Sequence, residues 1–301
     1  MESAFREKRF HGTQQFPCAF YIASPNCENG VFEVAHHWHD EIEIMFLQQG
    51  SFLLEINMEQ YQLQSPCICV INSGELHALT TVSPKYLQTA VVFQPYLLAF
   101  QEEDRLQKQI IEALCEKRLQ MPRLITPENH LWQALANEYQ CMQDAFLREQ
   151  KINHDQLLAE SSLSQLFIKA SLLKMLAFFK QEDLLIRSEQ QEDVKVSYMK
   201  VALSYIHEHY KEKIYIRNLA DVAGLNEQYF CRLFRQVIGM SPVEYMNSYR
   251  LRKAAVLLED SDLSVTEVAY ECGFHDMGGF IRGFRRLMGT TPLQYRKALY
   301  K

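Results

Sequence analysis

Residues 273–296 read GFHDMGGFIRGFRRLMGTTPLQYR, and residues 224–247 read GLNEQYFCRLFRQVIGMSPVEYMN. Both stretches contain a glycine, a Phe-x-Arg-x-Phe run and a Gly-x-x-Pro-x-x-Tyr run in the same order. Such a repeat indicates a structural unit that has been duplicated. Each copy reads as a helix that ends at the glycine, a tight turn, and a second helix with one apolar face.

The helix boundaries of the repeat are also written in the sequence. Three segments carry the capping-box pattern, two of them with proline at the first helical position: Ser241-Pro-Val-Glu244, Ser264-Val-Thr-Glu267 and Thr291-Pro-Leu-Gln294. Pro242 is predicted to start a helix that runs to about Glu259 and joins the two copies. The C-terminal part is therefore predicted to be an all-α tandem helix-turn-helix domain.

The second helix of each copy leaves polar side chains exposed that suit DNA recognition. Arginine pairs with guanine edges or phosphates, and arginines recur at matching positions of the two copies. Two such helices about 34 Å apart would enter successive major grooves. We predict that the DNA-contacting residues are Gln228, Cys231, Arg232 and Arg235 in the first copy and Gly278, Arg282, Arg285 and Arg286 in the second.

Three glycines, Gly278, Gly279 and Gly283, lie in the second of these helices. Each costs about 1 kcal/mol of helix stability relative to alanine, and none has a side chain that reads bases. We therefore expect this helix to contribute mainly phosphate contacts. The DNA half-site bound by this helix is predicted to tolerate more sequence variation than the half-site bound by the first copy.

The charge is divided unevenly along the chain. Residues 196–301 hold 15 Lys and Arg against 11 Asp and Glu, whereas residues 1–195 hold 16 against 26. A basic C-terminal part on an acidic remainder suggests that only the former meets an anionic partner.

Residues 200–301 resemble the tandem helix-turn-helix domain of the AraC/XylS family of transcription regulators, through the run of motifs from Gly273 to Arg296. The resemblance implies an N-terminal domain that binds an effector and often dimerises, and a C-terminal domain that binds a double-stranded DNA operator. It also implies that activation of transcription, with RNA polymerase as a partner, is commoner than repression. Carried over to this sequence, the base-reading positions are Gln228, Cys231, Arg232, Gly278 and Arg282.

The N-terminal part reads as short β-strands between Cys18 and Phe93, followed by helices over residues 97–120, 128–149 and 155–180. An apolar stripe in the last helix is predicted to pack on the strands or on a second copy of the chain. The fold class is therefore α+β and multidomain. The predicted domains are a β-barrel (1–95), a helical dimerisation and coupling segment (96–180), a linker (181–195) and the helix-turn-helix domain (196–301).

A constellation of histidines and a carboxylate lies in the β-rich part: His37-Trp-His39-Asp-Glu-Ile-Glu43, and later Gly74-Glu-Leu-His77. On one strand His37, His39 and Glu43 would share a face, and His77 on a second strand would complete a set suited to Mn, Fe, Ni, Zn or Cu. The spacing resembles the cupin motifs, although Asn72 and Thr81 stand where the second motif has Pro and Asn.

Three interpretations of this constellation remain open at this point. The four residues hold a divalent transition metal, although no cofactor is required. Alternatively, the mouth of the barrel is a metal-free effector pocket with apolar walls, formed by Trp38, His39, Glu43, Met45 and Phe93. In the third, the histidines pair with neighbouring carboxylates and bind nothing.

These patterns predict a transcription regulator, not an enzyme, whose operator affinity or dimer geometry responds to a small molecule, with carbohydrate suggested by family analogy. A cupin metalloenzyme fused to a DNA-binding domain and an interaction scaffold are the alternatives. The eight cysteines include no Cys-x-x-Cys pair, no uninterrupted apolar stretch approaches 18–20 residues, and the first residues are charged. We therefore expect a cytoplasmic homodimer without a membrane partner.

Overall fold

The computed structural model describes residues 10–24, 32–149, 152–153, 156–188 and 194–299. The chain divides into two compact units that meet in sequence between residues 191 and 192. Each unit is described by itself.

The N-terminal unit is built on eight strands: β1 (Cys18–Ala23), β2 (Glu33–His37), β3 (Ile42–Gln49), β4 (Ser51–Ile56), β5 (Glu59–Gln64), β6 (Cys67–Ile71), β7 (His77–Thr81) and β8 (Leu87–Phe93). Five two-residue strands follow: β9 (Leu119–Gln120), β10 (Leu124–Ile125), β11 (Ile152–Asn153), β12 (Gln156–Leu157) and β13 (Ile186–Arg187). One sheet has the order β10-β6-β3-β8-β1-β12-β11, a second β2-β7-β4-β5, and β9 pairs with β13.

Alternation along the strands explains why the two larger sheets pack face to face. Phe52, Leu54 and Ile56 of β4 are buried, whereas the residues between them are partly exposed. They join Met45 and Leu47 of β3 in an apolar core. The predicted β-barrel-like N-terminal fold is confirmed.

A second core lies on the other face of the seven-stranded sheet, where helices cover it. The helical elements are a 3₁₀ turn (Pro95–Leu98), a π-helical turn (Gln107–Ile111), α1 (Glu112–Cys115), α2 (Trp132–Glu149) and α3 (Ser162–Gln181). Ile42, Ile44 and Phe93 of the sheet pack here with Tyr139 of α2 and Ile168 of α3.

Two predicted helices in this unit have other bounds than expected. The helix expected over residues 97–120 is short and broken, and β9 ends it. The helix expected over 155–180 begins only at Ser162, because the preceding residues form β12 on the sheet. The predicted linker (181–195) spans the division between the two units, and it also contains β13, the last residue of α3 and the first two residues of the next helix, Val194 and Lys195.

Among the described residues one helix, α3, is long and apolar enough to cross a membrane by length and composition, with a mean hydropathy of 1.3. Its buried side packs into the core through Ile168, Leu172 and Met175. The opposite side exposes Leu163, Leu166 and Phe167.

The C-terminal unit contains seven helices among its described residues: α4 (Val194–His209), α5 (Ile216–Val222), α6 (Glu227–Ile238), α7 (Pro242–Asp260), α8 (Val265–Glu271), α9 (Met277–Met288) and α10 (Pro292–Leu299). The three predicted capping boxes are present, with reciprocal hydrogen bonds at Ser241, Ser264 and Thr291. Gly224 and Gly273 end α5 and α8 with φ of +66° and +79°, the left-handed conformation that favours glycine.

The sequence repeat is a repeat of packing as well. In the first copy, the rings of Phe234 and Tyr245 lie 5.8 Å apart at 71°. In the second, those of Phe284 and Tyr295 lie 5.5 Å apart at 79°. Helix α7 contacts α6 of the first copy and both α8 and α9 of the second. The predicted tandem helix-turn-helix fold is confirmed.

Candidate ligand site and DNA-binding helices

The histidine–glutamate cluster, defined as His37, His39, Glu43 and His77, is assembled from both larger sheets. His37 ends β2 and pairs with His77 at the start of β7, next to an irregularity in the strand register. His39 lies in the connection to β3, which carries Glu43. The prediction that three of these residues share one strand was therefore wrong. One ligand atom of each residue nonetheless lies within 4.8 Å of those of the others.

Backbone carbonyls fix the orientation of each imidazole ring. Because a carbonyl oxygen only accepts, Nδ1 of each ring is the donor, which leaves Nε2 as the atom available to a ligand. The three hydrogen bonds run from His37 to Ala35 at 2.9 Å, from His39 to Glu41 at 3.1 Å and from His77 to Glu75 at 2.9 Å.

The carboxylate of Glu43 lies between two of the histidines. Its Oε2 is 3.5 Å from Nε2 of His39 and 3.4 Å from Nε2 of His77. Burial raises the pKa of this carboxyl, but hydrogen bonds and charge interactions with the two histidines outweigh burial, so the net pKa is well below the ordinary value. Glu43 is therefore ionised at neutral pH.

The donor set of the cluster fits a divalent transition metal. Zinc and its neighbours bind imidazole nitrogen and carboxylate oxygen at about 2.0–2.2 Å, which requires ligand atoms only a few ångströms apart. Nε2 of His77 is buried and lies 3.4 Å from Oε2 of Glu43. A cation held between these two atoms would bind both.

The predicted apolar walls of the pocket are only partly beside the cluster. Met45 follows Glu43 by two residues on β3, so both side chains point between the sheets. Phe93 is paired with Ile42 in the register of β8 and β3, and both pack into the helix-covered core. Phe93 therefore faces away from Glu43, and its assignment to the pocket was wrong. Trp38 is buried.

A further histidine, His11, lies beside the cluster, and sequence reasoning missed it. Its ring centroid is 5.6 Å from that of His39. Nδ1 of His11 lies 2.7 Å from the Tyr21 hydroxyl, which donates to Oε1 of Gln156 at 3.1 Å. These residues are far apart in sequence and match no motif, so only the tertiary structure brings them together.

The two predicted recognition helices, α6 and α9, have the same construction. Each begins at an acidic or amide cap, since Asn226 accepts from the N–H of Tyr229 and Asp276 from those of Gly278 and Gly279. Each ends at a left-handed glycine. Their apolar faces are buried through two pairs of phenylalanines: Phe230 with Phe234, and Phe280 with Phe284.

Most of the predicted DNA-contacting side chains are exposed on these helices: Gln228, Arg232, Arg235, Arg282, Arg285 and Arg286. Cys231 and Gly278 are partly buried. The guanidinium of Arg232 lies 5.3 Å from the ring centre of Tyr229, a neighbour that the sequence analysis did not single out.

The glycines of α9 have different environments. A Cβ built on Gly283 would lie 3.2 Å from Cδ1 of Leu251 on α7, so this glycine permits close packing of two helices. A Cβ on Gly278 would meet the end of the Arg282 side chain at 3.1 Å. Gly283 therefore faces α7, whereas Gly278 does not.

Comparison with known proteins agrees with this architecture. A family model described as an AraC-like ligand binding domain matches residues 31–167, and one described as a helix-turn-helix domain matches residues 219–298. The chain belongs to the AraC-type transcriptional regulators. This AraC-type regulator therefore combines a ligand-binding domain with a DNA-binding helix-turn-helix domain.

Relatives of this AraC-type regulator match it along most of their length. It is 28% identical to the uncharacterized HTH-type transcriptional regulator YdeC of Bacillus subtilis (strain 168), over 99% of this chain and 97% of the relative. It is 23% identical to the HTH-type transcriptional activator RhaS of Escherichia fergusonii, over 96% and 97%. The crystal structure of ToxT from Vibrio cholerae O395 is similar with a TM-score of 0.46 and 14% identity, over 95% of this chain and 99% of that one.

Proposed function

We propose that a small molecule or metal ion bound at the histidine–glutamate cluster changes the affinity of this regulator for its operator. The observation that carries the proposal is the convergence of four potential ligand atoms within 4.8 Å, in the unit that matches a ligand-binding family. An ionised carboxylate and three oriented imidazoles form a site that is built for a ligand.

In this proposal His37, His39, Glu43 and His77 hold a divalent transition metal. A metal held by these residues would supply Lewis-acid chemistry at the ligand site. The metal-free alternative uses the same nitrogens: Nε2 of the histidines accepts hydrogen bonds from hydroxyl groups, such as those of a carbohydrate. The cluster binds and does not turn over its ligand, since the chain is organised as a regulator.

On the DNA side, Arg232 and Arg282 occupy matching positions on α6 and α9 and are proposed to contact base edges or phosphates. Arg235, Arg285 and Arg286 are exposed on the same two helices, where they add phosphate contacts. Gln228, Cys231 and Gly278 complete the proposed DNA-facing surface.

The protein is proposed to act as a cytoplasmic homodimer that contacts RNA polymerase as an activator. Leu163, Leu166 and Phe167 form an exposed apolar face on α3, opposite its buried side. Apolar residues that recur every three or four positions form a face by which two helices pack together. A relative named as a transcriptional activator supports the activating mode.

The full chain tests this proposal by DNA binding. Duplexes enriched from a random pool by the protein are labelled, and the dissociation constant is measured by fluorescence anisotropy at fixed salt, with and without Ni²⁺, Zn²⁺ and a panel of sugars. We expect at least one ligand to change the affinity by about 5–150-fold, the usual range of allosteric coupling.

Two variants make the result specific. His77→Ala should abolish the ligand effect, whereas His130→Ala, which removes an exposed histidine on the surface of the same unit, should preserve it. Duplex binding that no ligand alters, or a ligand effect that survives in His77→Ala, would refute the proposed role of the cluster.

A further inference from the structure

The bridging segment, defined as residues 117–125, lies against the connection that carries His39 and the loop that precedes His77. At its start, Nζ of Lys117 is 2.6 Å from Oδ1 of Asp40, the residue directly after His39. The N–H of Gly74 donates to the carbonyl of His39 at 2.7 Å. Gly74 has a φ of +82°, the left-handed conformation that favours glycine, and a Cβ at this position would lie 2.9 Å from Nζ at the end of the Lys117 side chain.

The middle of the bridging segment is bonded to the loop before His77. Asn72 and Met121 exchange two hydrogen bonds, of 3.2 and 2.8 Å. The guanidinium of Arg123 binds both carboxylate oxygens of Glu75, at 2.7 and 3.2 Å. The backbone carbonyl of the same glutamate accepts the Nδ1 hydrogen of His77. Glu75 therefore contacts both His77 and Arg123.

The Arg123–Glu75 pair is bidentate, and its carboxylate is buried. Glu75 is buried, and its Oε2 also accepts the backbone N–H of Asn72 at 2.8 Å. Bidentate pairing of arginine with a carboxylate fixes geometry as well as charge. Burial lowers the pKa of Arg123, but pairing with Glu75 more than compensates and raises it overall.

The other edge of the bridging segment contacts the end of the N-terminal unit. Strand β9 pairs with β13, with Gln120 opposite Ile186 and Leu119 opposite Arg187. The N–H of Ser188 then donates to the carbonyl of Arg118 at 3.0 Å. The next described residue, Val194, begins α4 of the DNA-binding unit.

This attachment is small. The paired strands are two residues long, and both Ile186 and Arg187 are exposed. Short, exposed pairings open at a much lower free energy than core strands. The attachment of β13 is thus suited to two states, paired and released.

We infer that residues 117–125 couple the ligand site to the DNA-binding unit: ligand-dependent movement of the loops around His39 and His77 is passed through Lys117 and Arg123 to the pairing of β9 with β13. Lys117 and Arg123 are positioning residues, since neither belongs to the cluster. This inference rests on the proposed function, because it assigns the route by which the cluster controls operator affinity.

The first experiment requires no ligand. Amide hydrogen exchange of the full chain is followed by mass spectrometry in the wild type and in Glu75→Gln, which removes the charge while keeping the size of the side chain. We expect exchange at residues 184–188 to accelerate by about fivefold or more, because β13 is released more often. Glu55→Gln is the matched control, since Glu55 pairs with a buried histidine, His36, in the same unit without contacting the bridging segment.

Unchanged exchange at residues 184–188 in Glu75→Gln would overturn the inference, as would the same acceleration in Glu55→Gln, which would indicate general loosening. The second experiment adds Ni²⁺ to the wild type and to Ser188→Pro, which lacks the donor to Arg118. We expect Ni²⁺ to bind both proteins equally, but to change operator affinity only in the wild type.

The two proposals fail in distinguishable ways. If Ni²⁺ does not bind the wild type, the metal site is refuted, and the hydrogen-exchange result on Glu75→Gln still decides the coupling route. If Ni²⁺ binds and alters operator affinity equally in both proteins, the cluster is retained as the sensor and the route is refuted.

Discussion

Nε2 of His77 lies 3.4 Å from Oε2 of Glu43, although the two residues belong to different sheets. The ligand site therefore exists only where the two sheets pack face to face. This dependence makes the cluster sensitive to the relative position of the two sheets.

Glu43→Gln is expected to weaken Ni²⁺ binding by at least about 10–100-fold, because it removes the only carboxylate of the cluster and the negative charge that balances the metal. Isothermal titration calorimetry on protein purified without a histidine tag measures this change. Glu102→Gln, at an exposed position, serves as the control. Equal affinities in the wild type and Glu43→Gln would exclude this carboxylate as a ligand.

Arg232→Ala and Arg285→Ala are expected to weaken DNA binding in different ways. Loss of Arg232 should cost about 1–3 kcal/mol at one base pair and relax the preference there. Loss of Arg285 should weaken binding evenly across sequences. It should also reduce the slope of the logarithm of the binding constant against the logarithm of salt concentration by about one, the value for one phosphate contact. Anisotropy titrations with single-base operator variants at three salt concentrations separate the two effects.

Arg105→Ala, in the N-terminal unit, is the control for these DNA titrations. The assignment of different roles to Arg232 and Arg285 fails if both variants lose the same DNA affinity whichever base pair is changed. The related expectation for α9, that its half-site tolerates more variation, fails if operator substitutions in both half-sites cost equally.

Gly278→Ala and Gly283→Ala are expected to change the stability of α9 in opposite directions. Alanine favours a helix by about 1 kcal/mol over glycine, and at position 278 its Cβ meets the ends of two exposed side chains, Arg282 at 3.1 Å and Asp276 at 3.3 Å. At position 283 it meets buried Leu251, so overpacking of about 1–3 kcal/mol outweighs the gain. Native-state hydrogen exchange of the α9 amides measures the free energy of opening of this helix in each variant and in the wild type. Stabilisation by both substitutions would contradict the packing role of Gly283.

Leu166→Glu is expected to convert the proposed homodimer to a monomer, because it places a charge in the middle of the apolar face of α3. Leu166 is 65% exposed, so the substitution leaves the core intact. Sedimentation velocity measures the oligomeric state. Val82→Glu introduces the same charge at another exposed apolar position and should leave the mass unchanged. A dimer that persists in Leu166→Glu would exclude this face as the interface.

The helix-turn-helix unit was predictable because its determinants are local. Capping boxes, left-handed glycines and an apolar helix face act within a few residues of one another, and the duplication presents each of them twice. The helix predicted from Pro242 to about Glu259 accordingly matches α7, and Arg232 and Arg282 lie exposed as expected.

The ligand site was predictable in its members but not in its construction. The spacing of His37, His39 and Glu43 identified residues that do converge, yet they lie on two strands and the connection between them. Phe93 was assigned to the wrong face, because an apolar residue on a strand buried on both sides gives no indication of which core it enters.

In the helix-turn-helix unit, local chemistry thus decided where helices begin and end and which side chains are displayed on the recognition helices. Long-range packing alone brought His11 beside His39 and paired β9 with β13. A two-residue strand has no period of its own, and a lone histidine has no motif. Such contacts are selected by the burial of distant surfaces, a free energy that belongs to the whole fold and not to any short stretch of the chain.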